Sequence, residues 1–175
     1  LNMTKNEFFS GMAVIKNKEL IFESYASDFN SSHPHLAMSV MKMTLNLIIG
    51  DLVTKNLLDP QKKVKHYIPE IGSGYAEATI QQVLDMDLEN DYSEDYSDMF
   101  ADVFLHEACW GWRLSTEKNP ETSQKNFLRN ITSKNGEIKN YSSYANYKSA
   151  NTEVLAWIAE IVSGRSFMDW IIDIV

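Results

Sequence analysis

The run His35-Leu-Ala-Met-Ser-Val-Met-Lys-Met-Thr-Leu-Asn-Leu-Ile-Ile-Gly50 places Ser39 and Lys42 three positions apart at the start of an apolar segment. The apolar spacing predicts a helix from Leu36 to about Lys55, on which residues three apart share one face. A serine is a poor nucleophile near neutral pH, but an adjacent amine without its proton can accept the hydroxyl proton as attack begins. Burial in such a helix would lower the pKa of Lys42 and favour that neutral form. The turn therefore carries a candidate nucleophile, Ser39, and a candidate base, Lys42.

The Ser-x-x-Lys pattern has a second occurrence, which shows that it also arises by chance. Ser115-Thr-Glu-Lys118 lies in a polar stretch that continues into Asn-Pro and is typical of a loop. Spacing alone favours a structural explanation for the first pattern too, with Ser39 in the first helical turn and the Lys42 amine reaching water. Only the apolar helix that follows Ser39 separates the two occurrences.

Composition limits the classes of partner that the chain suits. It has 175 residues with a net charge of -8, and this acidic balance argues against nucleic acid and anionic membranes as partners. No apolar run reaches the length needed to span a membrane. The single cysteine, Cys109, excludes an intrachain disulfide but does not decide between a periplasmic and a cytoplasmic location. His33-Pro-His35 has no matching set of ligands nearby, so we expect no metal there.

Periodicity predicts strands first and helices afterwards, which is an α+β arrangement. A β-hairpin is expected over Gly11–Tyr25. The predicted helices cover 36–55, 79–86 with Thr79 as cap, 99–112, 123–131, 150–163 ending at Gly164, and a last helix from Ser166; the acidic run 89–98 is predicted to be a solvated loop. A two-stranded hairpin is marginal alone and leaves sheet edges without partners. We therefore expect 1–175 to be a single domain that forms the N-terminal part of a longer catalytic domain, with the remaining strands beyond Val175.

The ordered set of motifs resembles the serine β-lactamase and penicillin-recognising superfamily. The resemblance is strongest to the branch related to class C enzymes, which includes esterases, D-amino-acid peptidases and 6-aminohexanoate-dimer hydrolases; Asp91-Tyr-Ser-Glu-Asp-Tyr96 is most similar to the last of these. It implies the α+β fold of β-lactamases and transpeptidases, with its C-terminal strands absent from this chain. The matching segments, in order, are the hairpin, Ser39-Val-Met-Lys42, Leu58-Asp-Pro60, Tyr67-Ile-Pro-Glu70, Thr79-Ile-Gln-Gln-Val-Leu-Asp-Met86, Asn151-Thr-Glu-Val-Leu-Ala-Trp157 and Ser163-Gly-Arg-Ser166.

The resemblance also implies roles for individual residues. Ser39 would attack a carbonyl to form an acyl-enzyme, and Lys42 would act as its base. Two tyrosines compete for the second motif of the family, in Tyr144-Ala-Asn146 and Tyr147-Lys-Ser149. The first matches the commonest class C letters, whereas the second has the family's spacing to the following helix. We choose Tyr147 as the acid/base for the leaving group, with Ser149 as a substrate-binding residue at the third position.

Two departures from the family pattern bear on activity. No segment after Tyr147 matches the third motif, Lys-Thr-Gly, whose strand provides one of the two oxyanion-hole N–H groups. Losing one such donor costs about 3 kcal/mol, or about a hundredfold in rate, so these 175 residues are predicted to be inactive by themselves. Relatives often have Met-Thr-Ser-Gly where this chain has Met86-Asp-Leu-Glu-Asn90, which puts the local turn in question.

The sequence therefore predicts a serine hydrolase that acts on ester, amide or β-lactam carbonyls through an acyl-enzyme. This chemistry requires no metal or organic cofactor. The Tyr-x-Ser form and the segment 91–96 favour small esters or linear amides. Trp112 is a further candidate for the wall of the substrate cleft, although packing is the commoner use of such a tryptophan. The alternative from another class is a non-catalytic, penicillin-binding-like module that binds or senses a ligand without turnover.

Overall fold

The computed structural model describes residues 2–116, 123–140 and 144–174 of the chain. Backbone contacts divide it into two compact units, Leu1–Ser39 and Val40–Val175. Together the described residues form an α+β arrangement with one antiparallel hairpin and eight α-helices, which confirms the predicted fold class. No helix among the described residues is both long and apolar enough to cross a membrane.

The first unit is built on the predicted β-hairpin. After a 3-10 turn at Asn2–Lys5, strand β1 (Gly11–Lys16) pairs antiparallel with strand β2 (Glu19–Tyr25), with an irregularity in register between Val14 and Ile15. The two turn residues, Asn17 and Lys18, have φ values of +52° and +69°. Positive φ at both central positions is the type I′ geometry whose twist matches that of paired strands.

The loop that follows β2 is held by aromatic contacts within this first unit. Phe29 packs its ring against His33 and His35, at centroid distances of 5.4 and 5.6 Å. His35 also lies 3.3 Å from the Ser10 hydroxyl through its Nε2. Both histidines of the His-Pro-His segment therefore have packing and hydrogen-bonding partners in the fold.

The second unit is organised around the packing of two helices, α1 (Lys42–Thr54) and α7 (Ser149–Ser163). Helix α1 buries Leu45, Ile48, Ile49 and Leu52, whose spacing places them along one face. Helix α7 contributes Val154, Leu155, Trp157, Ile158 and Ala159 to the same core and ends at Gly164, which has φ +66°. A left-handed residue at that position is the conformation that glycine adopts without steric cost.

Six shorter helices complete the second unit and pack around this pair. Helix α4 begins as predicted with Thr79, whose side chain accepts from the Gln82 amide while Gln82 accepts from the Thr79 amide. Close approach explains one glycine, since a Cβ on Gly72 would lie 2.2 Å from the carbonyl oxygen of Ile131. The six are α2 (Val64–Tyr67), α3 (Ser73–Ala76), α4 (Ile80–Leu84), α5 (Asp102–Cys109), α6 (Gln124–Asn130) and α8 (Phe167–Ile174).

Several predicted helix boundaries are wrong, each for a local reason. The segment predicted as one helix from Leu36 begins as a 3-10 turn at Met38 and becomes α-helical only at Lys42. The helix predicted over 99–112 is restricted to α5, because Gly111 adopts φ +76° and the chain turns there. Helix α7 starts at Ser149, so Asn151 lies within it; its buried side chain accepts a 2.9 Å hydrogen bond from the Tyr75 hydroxyl.

His106 is a titratable group of the second unit that has no accessible surface. Its ring stacks on Phe127 at a centroid distance of 4.6 Å and lies 4.3 Å from the ring of Trp110. Its Nδ1 is 3.2 Å from the hydroxyl of Tyr92. Burial, with a smaller contribution from the charge of Lys42, lowers the pKa of His106 to about 3, so the residue is neutral in the folded protein near pH 7.

This burial predicts that acid weakens the fold through His106. The folded-state pKa lies below the unfolded value, so the unfolded state binds the extra proton between about pH 6.5 and pH 3. We expect His106 to account for a loss of about 3 to 5 kcal/mol in the free energy of unfolding across that window. His106→Phe should flatten the dependence, measured by denaturant unfolding at several pH values, although the loss of the Tyr92 partner costs about 1 to 2 kcal/mol at pH 7.

The exposed His66 provides the matched control, because its substitution by Gln should leave the pH dependence unchanged. An equally steep acid dependence in His106→Phe would contradict the assignment.

Candidate active site

Ser39 lies in the 3-10 turn Met38–Met41 and its side chain is exposed. The residue before it, Met38, has φ +47°. A left-handed conformation at a residue other than glycine costs about 1 to 2 kcal/mol and persists where the surrounding structure imposes it. Strain next to the predicted nucleophile is the kind of backbone feature that is concentrated at functional sites.

Lys42 is the first residue of α1 and is half-buried, rather than fully enclosed as the apolar helix predicted. Its Nζ lies 5.5 Å from the centroid of the Tyr147 ring, within the range of a cation–π contact. Its charge also reaches Glu153, whose pKa is raised by burial and lowered in part by a hydrogen bond from Gln124 and by Lys42. Two of the three predicted catalytic residues are thus close neighbours within one unit.

The structure distinguishes between the two candidate tyrosines by their neighbours. Tyr144 is 80% exposed, and its carbonyl accepts from the Asn140 side chain. Asn146 helps to hold the backbone, because its main-chain N–H donates to the carbonyl of Met86 at 2.8 Å. Tyr147 is the one whose ring faces the Lys42 amine. The hydrogen bond to Met86 therefore holds the segment that leads into Tyr147. Met86 is the first residue of the stretch 86–90, whose sequence differs from Met-Thr-Ser-Gly.

Ser149 begins α7 and is buried, with both of its polar groups bonded to Glu94. The Ser149 hydroxyl donates to Oε1 of Glu94 at 2.7 Å, and its amide N–H donates to Oε2. A carboxylate that accepts N–H groups at a helix N-terminus also interacts favourably with the helix dipole. In this arrangement Ser149 connects α7 to the loop before α5, and contact between Ser149 and a substrate stays a prediction.

The acidic run 89–98 was expected to be a solvated loop, and this is wrong for several of its residues. Asn90 and Tyr92 are buried, and Glu94 is half-buried against the start of α7. Sequence reasoning missed Glu94 because a single carboxylate in an acidic run has no pattern of its own. The only available signal was its place within the segment that resembles the 6-aminohexanoate-dimer hydrolases.

A pocket of about 580 Å³ opens beside Tyr147. It is lined by the loop 89–95, by Lys134 and by residues 146–148. Lys134 is paired with Glu89 at 2.9 Å on its wall. A second pocket, of about 220 Å³, is lined by Lys42 and by residues of α1, α4 and α7. Tyr147 therefore borders a pocket of a size that small-molecule sites use, whereas Lys42 borders the smaller one.

Trp112 stands apart from the pocket beside Tyr147. It is 57% exposed and lies just after α5, where its amide donates to the carbonyl of Glu107. Trp112 is not among the described residues that line the 580 Å³ pocket. Its predicted place in a substrate cleft stays a prediction. The Lys118 of the second Ser-x-x-Lys pattern lies outside the described residues.

Comparison of the chain with known proteins identifies a family. The family model described as Beta-lactamase matches residues 9–173. The chain belongs to the beta-lactamase family. This confirms the resemblance found in the sequence motifs.

Two relatives of this beta-lactamase family member carry the same name. The chain is 35% identical over 157 residues to a 6-aminohexanoate-dimer hydrolase of Paenarthrobacter ureafaciens, a match that covers 89% of this chain and 38% of the relative. A solved structure, described as a putative 6-aminohexanoate-dimer hydrolase from Bacillus anthracis, matches with a TM-score of 0.72 and 26% identity. That match covers 90% of this chain and 41% of the other. The chain thus spans about two fifths of the length of these relatives.

The connection between Glu94 and Ser149 predicts a measurable coupling energy. Ser149→Ala removes a donor to a carboxylate and should cost about 2 kcal/mol of unfolding free energy, and Glu94→Ala should cost at least as much. Because the two changes remove one shared interaction, the double variant should be less destabilised than the sum of the single variants. Denaturant unfolding of the four proteins measures this difference.

Asp95→Asn serves as the control, because the hydrogen bonds of that exposed carboxylate to described residues lie within its own turn, to Ser97. We expect its effect to stay within about 0.5 kcal/mol. Fully additive losses for Glu94 and Ser149 would show that the two residues act independently.

Proposed function

We propose that the protein is a serine hydrolase in which Ser39 is the nucleophile, Lys42 its base and Tyr147 the acid/base for the leaving group. The observation that carries the proposal is the 5.5 Å approach of the Lys42 amine to the Tyr147 ring. It concerns the lysine of the Ser-x-x-Lys motif and the tyrosine of the second motif, in a chain that belongs to the beta-lactamase family.

The proposed reaction has two chemical steps. In the first, the Ser39 oxygen bonds to the substrate carbonyl carbon while its proton passes to Lys42 or to a deprotonated Tyr147. The tetrahedral intermediate collapses, and Tyr147 gives a proton to the leaving amine or alcohol as its bond to carbon breaks. In the second step, water attacks the carbonyl carbon of the Ser39 ester and gives a proton to Tyr147, which lost its own to the leaving group. The bond between Ser39 and the carbonyl carbon then breaks as Ser39 takes that proton from Tyr147, and the acid product leaves.

The contact between Lys42 and Tyr147 places an amine beside the phenol. A cation near a phenol favours the phenolate, and a phenolate is the form that accepts a proton from serine. The half-buried position of Lys42 weakens solvent screening of this attraction. Both groups can exchange a proton without a metal ion or an organic cofactor.

We further propose that the substrate is a linear amide or a small ester. Support comes from the two relatives named 6-aminohexanoate-dimer hydrolase, one at 35% identity. A β-lactam is the other carbonyl class that the family name implies.

The nucleophile assignment predicts loss of turnover in Ser39→Ala. Hydrolysis of p-nitrophenyl acetate and of a linear 6-aminohexanoate amide by the full-length protein should fall by about 10⁴-fold or more, because no acyl-enzyme can form. A fluorophosphonate probe should label Ser39 in the parent protein and not in the variant. Nitrocefin tests the β-lactam class in parallel.

Ser115→Ala is the matched control, because it removes the serine of the second Ser-x-x-Lys pattern, which is also exposed. It should leave turnover unchanged. Unaltered turnover in Ser39→Ala would refute the enzyme assignment, and ligand binding without turnover by the parent would favour the non-catalytic module.

The choice between the tyrosines predicts a clear difference between two conservative variants. Tyr147→Phe keeps the ring but removes the hydroxyl, and kcat should fall by about 10² to 10⁴-fold as acid/base catalysis is lost. Tyr144→Phe should change kcat by less than about twofold, since that side chain is 80% exposed. Steady-state kinetics of both variants on the same ester decide the matter, and the reverse order of effects would assign the role to Tyr144.

A further inference from the structure

Lys148 is a lysine in an unusual position, because only 5% of its surface is accessible. Its Nζ donates a 2.7 Å hydrogen bond to the carbonyl of Tyr92 and lies 5.8 Å from the centroid of the Tyr92 ring. Burial lowers the pKa of Lys148, against the opposing effect of carboxylates that include Glu89 and Glu94. A buried amine costs free energy unless it is well bonded, so this contact is a demanding one.

The acceptor of that hydrogen bond is itself held firmly. Tyr92 is 3% exposed, and its hydroxyl lies 3.2 Å from Nδ1 of His106. The ring packs edge-on against His106 and Phe127, at centroid distances of 5.6 and 6.0 Å. Lys148 therefore reaches into a closely packed part of the core, where its partner has little freedom to move.

The backbone conformation at Lys148 favours opposite directions for the side chains of Lys148 and Tyr147. Lys148 has φ -145° and ψ 122°, an extended conformation in which neighbouring side chains alternate between faces. The exposures agree, since Tyr147 is 48% accessible and Lys148 is buried. Anchoring Lys148 inwards thus turns the Tyr147 ring outwards, to the side where the Lys42 amine is 5.5 Å from its centroid.

A second attachment follows directly in the chain. Ser149 bonds to Glu94 through both its amide and its hydroxyl, and Glu94 lies two residues after Tyr92. The Tyr92–Glu94 segment thus holds Lys148 and Ser149 at consecutive positions. Tyr147 is the residue just before these two attachments, so its backbone direction depends on them.

We propose that Lys148 is a positioning residue, which fixes the Tyr147 phenol in its catalytic orientation through the hydrogen bond to the Tyr92 carbonyl. The inference rests on the proposed function of Tyr147 and adds a residue that acts through Tyr147. It gives the buried lysine between Tyr147 and Ser149 a specific task. Misplacement of a catalytic group by about 1 Å can lower the rate about a hundredfold. A loss of that size would explain why an amine is buried at this position despite the free energy needed to remove it from water.

The test is a double-variant cycle in the full-length protein. Lys148→Met keeps the length and apolar stem of the side chain but removes the donor and the charge. We expect kcat to fall by about 10 to 100-fold with KM changed by less than about threefold. In a Tyr147→Phe background, the same change should lower the remaining kcat by less than about twofold, because the group that Lys148 positions is already gone.

Lys148→Arg keeps the charge and the donor, so it should recover a substantial part of the activity that Lys148→Met loses. Circular dichroism and thermal unfolding of each variant confirm that the comparison is made on folded protein. The inference would be overturned if Lys148→Met caused no loss of kcat, or if it caused equal losses in the parent protein and in the Tyr147→Phe variant.

A spectroscopic readout separates this inference from the proposed function. In ¹³C-tyrosine-labelled protein, the Tyr147 resonances are assigned by their disappearance in Tyr147→Phe. Lys148→Met should shift or broaden them and leave Tyr144 unchanged, whether or not the protein turns over any substrate. Unchanged Tyr147 resonances would refute the positioning role, whereas turnover that survives Ser39→Ala would refute only the proposed function.

Discussion

The packing of helix α7 against helix α1 is the constraint on which the candidate site depends. Both helices bury a continuous apolar face, and the residue that opens α1 is Lys42. The residues that lead into α7 are Tyr147 and Lys148. Burial of Leu45 and Ile49 on one side, and of Val154 and Ile158 on the other, therefore brings the Lys42 amine to the Tyr147 ring. Hydrophobic burial supplies the free energy, and its geometry decides which polar groups meet.

Buried polar groups around this helix pair give the arrangement its precision. Lys148 bonds the Tyr92 carbonyl, Glu94 accepts from Ser149, and Asn151 accepts from Tyr75. Each of these contacts joins a loop or short helix to the first turns of α7. An unpaired buried polar group would cost about 1 to 3 kcal/mol, so the contacts favour one orientation of the segment over its alternatives. Residues 146–148, which lead into α7, form a wall of the 580 Å³ pocket.

Much of the local structure could be predicted because it depends on short-range rules. Apolar alternation and a polar turn were enough for the hairpin, and a threonine three residues before Gln82 was enough for the start of α4. Boundaries failed where a single backbone angle decided them, as at Met38 and Gly111. The order of the motifs gave Ser39, Lys42 and Tyr147 as candidates. The spacing of these residues along the chain could not show that Lys42 lies close to Tyr147. Glu94 and Lys148 escaped notice because their importance lies in partners that are distant in sequence.

The sequence by itself determined the family, the α+β class and the order of the motifs, because these are carried by residue types and by spacings along the chain. It also placed an apolar helix directly after Ser39. Only the tertiary structure decided that the Lys42 amine lies beside the Tyr147 ring, that His106 is buried in the core, and that Ser149 is bonded to Glu94. Each of these depends on contacts between segments far apart in the chain, and the packing of α1 and α7 fixes those contacts through the shape of a shared core.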